Sequence, residues 1–217
     1  MRFRDRRDAG RQLSERLVES RLRDPLILAL PRGGVPVAFE VAKALAAPLD
    51  VFVARKIGAP GYPELGIGAI AEGGEVVANA FALRRLGLTK TQFAELAAQE
   101  RPELERRVRR YRGARTLPDL DDRDVVLVDD GFATGVTAEA ALRSLRRSRA
   151  RRLILAVPAS APRATRRLAG VADDIVCVVE PADFEAVGQA YEDFSQISDE
   201  EVVRLLECAQ RADKLQR

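Results

Sequence analysis

The chain has 217 residues, of which 47% are hydrophobic and 32% charged, which suits one folded domain with a sizeable core. It contains no histidine and only two cysteines, which excludes Ser–His catalysis, histidine-bound metals and a zinc site built by this chain alone. The net charge of +3 suits an anionic small molecule, and the lack of a long apolar run or an apolar leader predicts a cytoplasmic protein with no membrane partner.

Apolar runs alternate with helical patterns along the chain. Leu26–Leu30 and Val125–Val128 are short continuous apolar runs, as in strands buried on both faces of a parallel sheet. Glycines between 58 and 74 indicate a mobile loop before a hairpin, and Pro102 predicts a break in the helix that begins at a Thr89 cap. In chain order, the predicted elements are a helix over 8–22, strands over 26–30 and 50–54 flanking a helix over 36–47, a hairpin over 67–78, a helical segment over 89–112, strands over 125–128, 153–157 and 175–179 separated by helices over 135–147 and 161–169, and a final helix opened by a capping box at 198–201.

This order predicts an α/β fold in which one domain, residues 1–217, is built on a doubly wound, mostly parallel sheet. We expect a hairpin and helical insertion with an arm at about 79–116, and a small irregular hood at about 181–198. Ligands of such sheets bind beyond the carboxyl ends of the strands, so the functional residues are sought there.

The segment 125–137 contains the residues that indicate a function. An apolar strand is followed by Asp129 and Asp130, and then by a loop of small and hydroxyl residues that opens a helix. Backbone N–H groups of such a loop and the helix N-terminus together bind phosphate, and two adjacent carboxylates can accept hydrogen bonds from vicinal ribose hydroxyls. A sugar phosphate therefore fits. The predicted phosphate-binding residues are Gly131, Phe132, Ala133, Thr134, Gly135, Val136 and Thr137.

Other interpretations fit this segment less well. In one alternative the two acids do no more than cap the next helix, which would leave an acidic pair at a sheet end unexplained. In another, one of the acids accepts a phosphoryl group. A P-loop would need a Gly-Lys pair, which the chain lacks, and Gly33-Gly34 after the first strand is followed by Val-Pro instead of a dinucleotide fingerprint.

Segment 125–137 resembles the binding signature for 5-phosphoribosyl-1-pyrophosphate (PRPP) of the type I phosphoribosyltransferases: an apolar strand, two acids and a small-residue loop. Gly131 stands where an apolar residue is common in that family. The order of elements over nearly the whole chain is similar to the same family, and closest to a bacterial group whose substrate is unsettled. The resemblance implies a glycosyltransferase of nucleotide metabolism that transfers phosphoribose.

Two more segments are similar to parts of that family. Leu30–Pro36 resembles its pyrophosphate loop, which implies a cis or strained peptide within 31–33. The pair at 55–56 resembles the basic pair that meets PRPP phosphates in relatives acting on orotate, and Gly58–Gly68 stands in the place of the flexible catalytic loop. An ordinary turn and a solvated basic pair are the alternatives. The predicted pyrophosphate-binding residues are Arg32, Gly33, Gly34, Arg55 and Lys56.

The mechanism implied by the resemblance is displacement of pyrophosphate from C1 of PRPP by a nitrogen atom, expected to belong to a nucleobase. Asp129, Asp130 and Lys56 are the predicted catalytic residues. Mg²⁺ is the expected cofactor, held by the two aspartates largely through ribose hydroxyls or water. Without histidine, a general base would have to be a carboxylate, or be absent.

The acceptor site is predicted in the hood, with Phe184, Tyr191 and Phe194 as candidates, of which Phe184 could stack on a base. Glu72, after the hairpin strand, is a weaker candidate for a polar contact. Simple packing of the hood is the alternative. The arginine-rich segment 103–115 is interpreted as a solvated or oligomer-facing helix, so we expect a homodimer and no nucleic-acid partner. A non-catalytic sensor of PRPP or nucleotides on the same fold, with RNA bound by the arginine helix, is the rival function; a sugar-phosphate phosphatase or kinase is a third.

Overall fold

The computed structural model describes residues 2–216. Its strands alternate with helices as the apolar runs predict. In chain order the elements are α1 (Arg6–Val18), β1 (Leu26–Ala29), α2 (Gly34–Ala44), β2 (Leu49–Val51), β3 (Ala54–Ala59), β4 (Tyr62–Ala71), β5 (Val76–Ala78), α3 (Ala80–Leu86), α4 (Lys90–Arg112), β6 (Asp124–Val128), α5 (Val136–Leu145), β7 (Arg152–Ala159), α6 (Pro162–Leu168), β8 (Asp174–Val179) and α7 (Asp199–Gln216).

Five strands form a parallel sheet in the order β2-β1-β6-β7-β8, which confirms the predicted α/β class. Alternate residues of each strand face opposite sides, because successive side chains of a strand point to opposite faces of the sheet. Ile27 and Val126 pack with α1, α2 and α7 in one core cluster, whereas Leu28 and Leu127 pack with α5 and α6 in another. The sheet is therefore covered on both faces, and its strands end at a common edge.

A second, antiparallel sheet of β3, β4 and β5 replaces most of the predicted mobile loop. The predicted hairpin over 67–78 is confirmed, since β4 pairs with β5 from Gly68 opposite Ala78 to Ile70 opposite Val76. The prediction of a loop over Gly58–Gly68 is wrong. A methyl group at Gly68 would lie 2.5 Å from the Phe93 ring, so this glycine lets α4 pack closely on the sheet and is not a source of flexibility.

The helix α4 is continuous through Pro102, so the predicted break is wrong. Pro102 lies on the exposed face of the helix, where the lost hydrogen bond can be met by water. A capping box of Thr89 and Gln92 fixes the start of the helix, and buried residues such as Phe93 and Leu104 hold its length against the protein. Tertiary packing here overrides a local helix breaker.

Element ends differ from the predictions by a few residues. The helix α1 begins at Arg6 because the Asp5 carboxylate accepts the Asp8 N–H at 2.7 Å, and the strand predicted over 50–54 is divided between β2 and β3. The Ser198 hydroxyl accepts the Glu201 N–H, which confirms the cap of α7. The predicted arm contains α3 and α4, and the predicted hood is irregular apart from one short 3₁₀ helix. None of the described helices is long and apolar enough to cross a bilayer.

Candidate functional site

The loop 131–137 joins the carboxyl end of β6 to α5. Its two glycines have positive φ angles, 141° at Gly131 and 67° at Gly135, which glycine adopts without steric cost. A methyl group at Gly131 would also lie 2.8 Å from the Ala159 carbonyl oxygen. Phe132 is buried and donates its N–H to that carbonyl, so its amide does not contribute to a phosphate site as predicted. The glycines therefore bring the loop against β7.

The rest of the loop opens to solvent in a cleft of about 270 Å³. Thr134 is exposed and Thr137 partly exposed. Within residues 2–216, the N–H groups of 133–135 donate to no protein acceptor, and the first four N–H groups of a helix such as α5 have no partner in its own first turn. Lys56 and Asp129 line the same cleft. The predicted phosphate loop is thus an open set of donors, apart from the Phe132 amide.

The two acids at the end of β6 have different surroundings. Asp129 is partly exposed, lines the cleft and accepts the Asp130 N–H at 2.9 Å. Burial and the neighbouring charge of Asp130 raise the pKa of the Asp129 carboxyl. Asp130 is only 9% exposed and is not among the residues that line the cleft. Only one acid of the predicted pair therefore faces the open space beside the loop.

The Asp130 carboxylate is paired with Arg6, a residue that sequence reasoning missed. The Arg6 Nε donates to Asp130 Oδ2 at 2.8 Å, and Arg6 is itself buried. Arg6 opens α1, more than 120 positions away along the chain, so no local motif could have revealed it. The only available signal was that a buried carboxylate needs a partner.

The predicted pyrophosphate loop, residues 30–36, follows β1 and lies against both acids. A methyl group at Gly33 would lie 2.0 Å from Asp130 Oδ2, and one at Gly34 would lie 2.7 Å from the Val128 carbonyl oxygen. These two positions therefore have to be glycine for the loop after β1 to approach the loop after β6. A cis peptide joins Pro31 to Arg32, within the residues where it was expected.

The basic residues at the end of this loop and on β3 meet in a second cleft, of about 680 Å³. Arg32, Arg55, Lys56 and Thr137 all line it, and Lys56 and Thr137 line the smaller cleft as well. The predicted phosphate and pyrophosphate residues are therefore neighbours in space. The cleft is bounded by Gly58–Pro63 of the β3–β4 hairpin and by one side of α4.

Residues of α4 modify the charge of this second cleft, which the sequence did not predict. Arg55 pairs with Glu100 at 2.6 Å and with Glu103 at 3.5 Å. Glu103 also binds Arg106 and Arg107, and the Arg106 hydrogen bond, with help from Arg107, lowers its pKa to about 2. Arg107 lines the cleft. Arg32 contacts Asp199 at 3.8 Å. The guanidinium groups of Arg32, Arg55 and Arg107 are thus each beside a carboxylate at the cleft.

The predicted base-stacking rings are buried. Phe184 and Tyr191 are 6% and 3% exposed and pack with Phe3 in a small third cluster. The Tyr191 hydroxyl donates to the Asp130 carbonyl oxygen at 2.6 Å. Phe194 stacks on Tyr191 and is exposed, at 40%, while Glu72 binds Arg112 in a structural ion pair. Packing describes these side chains better than contact with a base.

The arginines of segment 103–115 are mostly paired with acids. Arg110 contacts Glu200, Arg109 contacts Glu105, and the buried Arg112 contacts Glu72. Pairing of this kind leaves little unbalanced positive charge on α4 to bind the phosphate backbone of a nucleic acid. The structure therefore favours the interpretation of α4 as a solvated and structural helix.

Comparison with known proteins agrees with this site. The family model described as the phosphoribosyl transferase domain matches residues 4–194. The chain belongs to this family, as its fold and phosphate loop indicate. A protein of Mycobacterium tuberculosis strain H37Rv, named "Putative phosphoribosyl transferase Rv0571c", is 48% identical over 209 residues, which are 96% of this chain and 47% of that protein. The chain thus spans about half the length of the curated relatives it matches.

Solved structures show the same fold. The crystal structure of TT1426 from Thermus thermophilus is 47% identical in sequence, has a TM-score of 0.79, and the match covers 95% of this chain and 98% of that one. A hypothetical protein from Neisseria gonorrhoeae, solved with bound ppGpp, matches at 14% identity with a TM-score of 0.50 over 96% of this chain and 98% of that one. At that identity the second likeness concerns the fold alone.

Proposed function

We propose that the protein transfers phosphoribose from PRPP to a nitrogen nucleophile and releases pyrophosphate. The observation that carries this proposal is the meeting of two phosphate-binding features in adjoining clefts that share Lys56 and Thr137. PRPP has a phosphate at one end of its ribose and a pyrophosphate at the other, so a site for it needs two such features one sugar apart.

Each part of PRPP has candidate partners in the clefts. The 5′-phosphate binds the amides of residues 133–135, which donate to no described protein acceptor, and the Thr137 hydroxyl, at the positive end of α5. Asp129 accepts hydrogen bonds from ribose hydroxyls, and the pyrophosphate lies in the larger cleft near Arg32 and Lys56. In this arrangement the sugar spans the boundary between the two clefts.

Mg²⁺ fits the donors of this site. The residues whose side chains the structure describes contain no group of three or more acids or cysteines that could cage a metal, and Asp129 lines the smaller cleft beside loop 131–137. Magnesium commonly takes one or two carboxylates and completes its shell with water and substrate phosphates. Asp129 would hold it, directly or through water, and the ion would neutralise charge on the leaving pyrophosphate.

In this reaction the protein mainly positions the reactants and stabilises charge, and it forms no covalent bond to them. The nitrogen of the acceptor forms a bond to C1 as the bond from C1 to the pyrophosphate oxygen breaks, and the nitrogen then loses its proton. Lys56 and Arg32 stabilise the charge that develops on the leaving group, while the phosphate loop and Asp129 fix the ribose. Glu100 is a carboxylate that lines the larger cleft, and it is held by Arg55.

The proposal is tested by pyrophosphate release from PRPP and Mg²⁺ with a panel of purines, pyrimidines and pyridine carboxylates. Turnover with at least one acceptor, abolished by Asp129→Asn, is the expected result. Calorimetry with PRPP and Mg²⁺ is run in parallel. Tight binding of PRPP without any turnover would favour the sensing function. The absence of both PRPP binding and turnover would rule the proposal out.

A further inference from the structure

The pair of Arg6 and Asp130 is the most enclosed ionic contact beside the site. Arg6 is 8% exposed and Asp130 is 9% exposed, with 2.8 Å between Nε and Oδ2. Charges are buried this deeply only when each is matched by a partner, because the cost of removing an unpaired ion from water is large.

Arg6 is held by the hood as well as by the acid. Its Nη1 donates to the Ser195 carbonyl oxygen at 2.8 Å, and its guanidinium carbon lies 4.0 Å from the centre of the Phe194 ring. The Tyr191 hydroxyl binds the carbonyl oxygen of Asp130. Helix α1, the hood and the end of β6 are therefore joined at one point.

Asp130 also contacts the pyrophosphate loop directly, since its carboxylate lies where any side chain at Gly33 would have to be. The carboxylate is thus enclosed between Arg6 on one side and the Gly33 backbone on the other. Asp129, the adjacent residue, lines the smaller cleft beside loop 131–137 instead. Neighbouring acids on one chain segment have been placed in a buried and an open environment.

We propose that the two acids have separate tasks: Asp129 alone contacts the ribose, and Asp130 is a positioning residue that, with Arg6, fixes the pyrophosphate loop against the phosphate loop. This division of roles rests on the proposed function, since it assumes that ribose binds at Asp129. It assigns Arg6 a part in substrate binding although the residue reaches neither cleft.

The physical reason is that Arg6 would lose its charge partner if the Asp130 carboxylate rotated toward a substrate. Ribose hydroxyls are neutral, so they would replace none of the charge that Asp130 supplies to the buried guanidinium. Turning the carboxylate would leave Arg6 unpaired in the same enclosed space. Asp129 forms no ion pair with a described residue: its carboxylate accepts the Asp130 N–H and lies beside the Asp130 carboxyl, so no buried cation depends on it.

The test compares three variants by thermal unfolding and by calorimetry with PRPP and Mg²⁺ at a temperature where all are folded. Arg6→Gln should lower Tm by roughly 5–15 °C, because it strands a buried carboxylate. It should also weaken PRPP binding about 3- to 10-fold in the folded protein, because the pyrophosphate loop shifts. Arg6→Gln combined with Asp130→Asn should recover most of the Tm and bring the affinity to within about 3-fold of wild type, because a neutral pair can hydrogen-bond across the same gap.

Asp129→Asn should behave in the opposite way, with an unchanged Tm and a PRPP affinity reduced about 10- to 100-fold, the range for losing hydrogen bonds to a charged acceptor. The matched control is Arg146→Gln with Asp173→Asn, an exposed Arg–Asp pair at the other end of the sheet, which should change neither quantity.

A double variant that regains its Tm but binds PRPP as weakly as Asp129→Asn would overturn the proposal, because Asp130 would then contact the substrate. An Arg6→Gln protein with unchanged Tm and affinity would overturn it as well. If the double variant does not fold, Asp130→Asn alone decides: a loss of affinity of about 3- to 10-fold, like that of Arg6→Gln, supports the proposal, and a larger loss or an unchanged affinity refutes it. A wild-type protein that binds no PRPP would instead refute the proposed function. The Tm measurements would still test whether Arg6 and Asp130 stabilise the protein as a buried pair.

Discussion

Gly33 offers a direct measure of how tightly the two loops are packed. In Gly33→Ala, the new methyl carbon would lie 2.0 Å from Asp130 Oδ2 and 2.6 Å from its Cγ, both far inside the 3.0 Å that such contacts essentially never fall below. Two responses can relieve the overlap: the backbone of the pyrophosphate loop moves, or the carboxylate leaves Arg6.

The magnitude follows from the less costly response. Overpacking that forces a backbone shift costs about 1–3 kcal/mol, whereas breaking a buried ion pair costs about 3–5 kcal/mol. We therefore expect the loop to move and Gly33→Ala to lose about 2–3 kcal/mol of unfolding free energy. With a urea m-value of about 2 kcal/mol/M, the unfolding midpoint falls by roughly 1–1.5 M.

Urea unfolding at 25 °C, followed by circular dichroism, measures this shift. Gly170→Ala is the matched control, because a methyl group there has no atom within 4 Å and the residue lies in a surface turn. Its free energy of unfolding should stay within about 0.5 kcal/mol of wild type. Equal midpoints for the two variants would show that Asp130 is not packed against the pyrophosphate loop, and the reasoning would fail.

Three further predictions concern other contacts. Arg112→Leu removes a buried guanidinium that donates to the Val51 carbonyl oxygen and pairs with the buried Asp50 and the partly buried Glu72, so differential scanning calorimetry should show a loss of about 3 kcal/mol; no loss would mean that the network is neutral to stability. Glu103→Gln should cost about 0.5–1 kcal/mol at pH 7 in urea unfolding. Because arginine hydrogen bonds hold the folded-state pKa of Glu103 at about 2, below its ordinary 4.5, its contribution is fully present above pH 4.5 and is lost as the pH falls towards 2, so a gap that persisted at pH 2 would contradict this. Thr137→Val should raise the dissociation constant of PRPP about 3- to 10-fold, while Thr116→Val on an exposed loop should not; equal values would remove Thr137 from the phosphate site.

Local chemistry allowed much of the site to be predicted. The strand β6 is a continuous apolar run and the loop after it has its own signature in small and hydroxyl residues, so both could be located from about a dozen consecutive positions. The same holds for the pyrophosphate loop, where two adjacent glycines after a buried strand indicate a close approach of backbone. Signals of this kind lie within one segment of the chain.

Features that depend on distant parts of the chain were not predicted. Arg6 is one of many arginines, and its burial follows from the packing of α1 beside the hood. The glycines of the β3–β4 hairpin looked like sources of flexibility, although Gly68 is required by the ring of Phe93. The exposed position of Pro102 within α4 likewise depends on which face of the helix packs, which a single breaker residue does not reveal.

The β3–β4 hairpin has a consequence for how molecules enter the larger cleft. Its strands are paired from Ala54 opposite Ala71 to Ala59 opposite Tyr62, with irregular register only around Gly58. A paired ribbon of this kind can change position only by pivoting at its base or bending at that irregularity, and ordering it costs far less chain entropy than ordering a free loop of equal length. Entry of a ligand into the larger cleft would then depend on how easily the hairpin bends around Gly58.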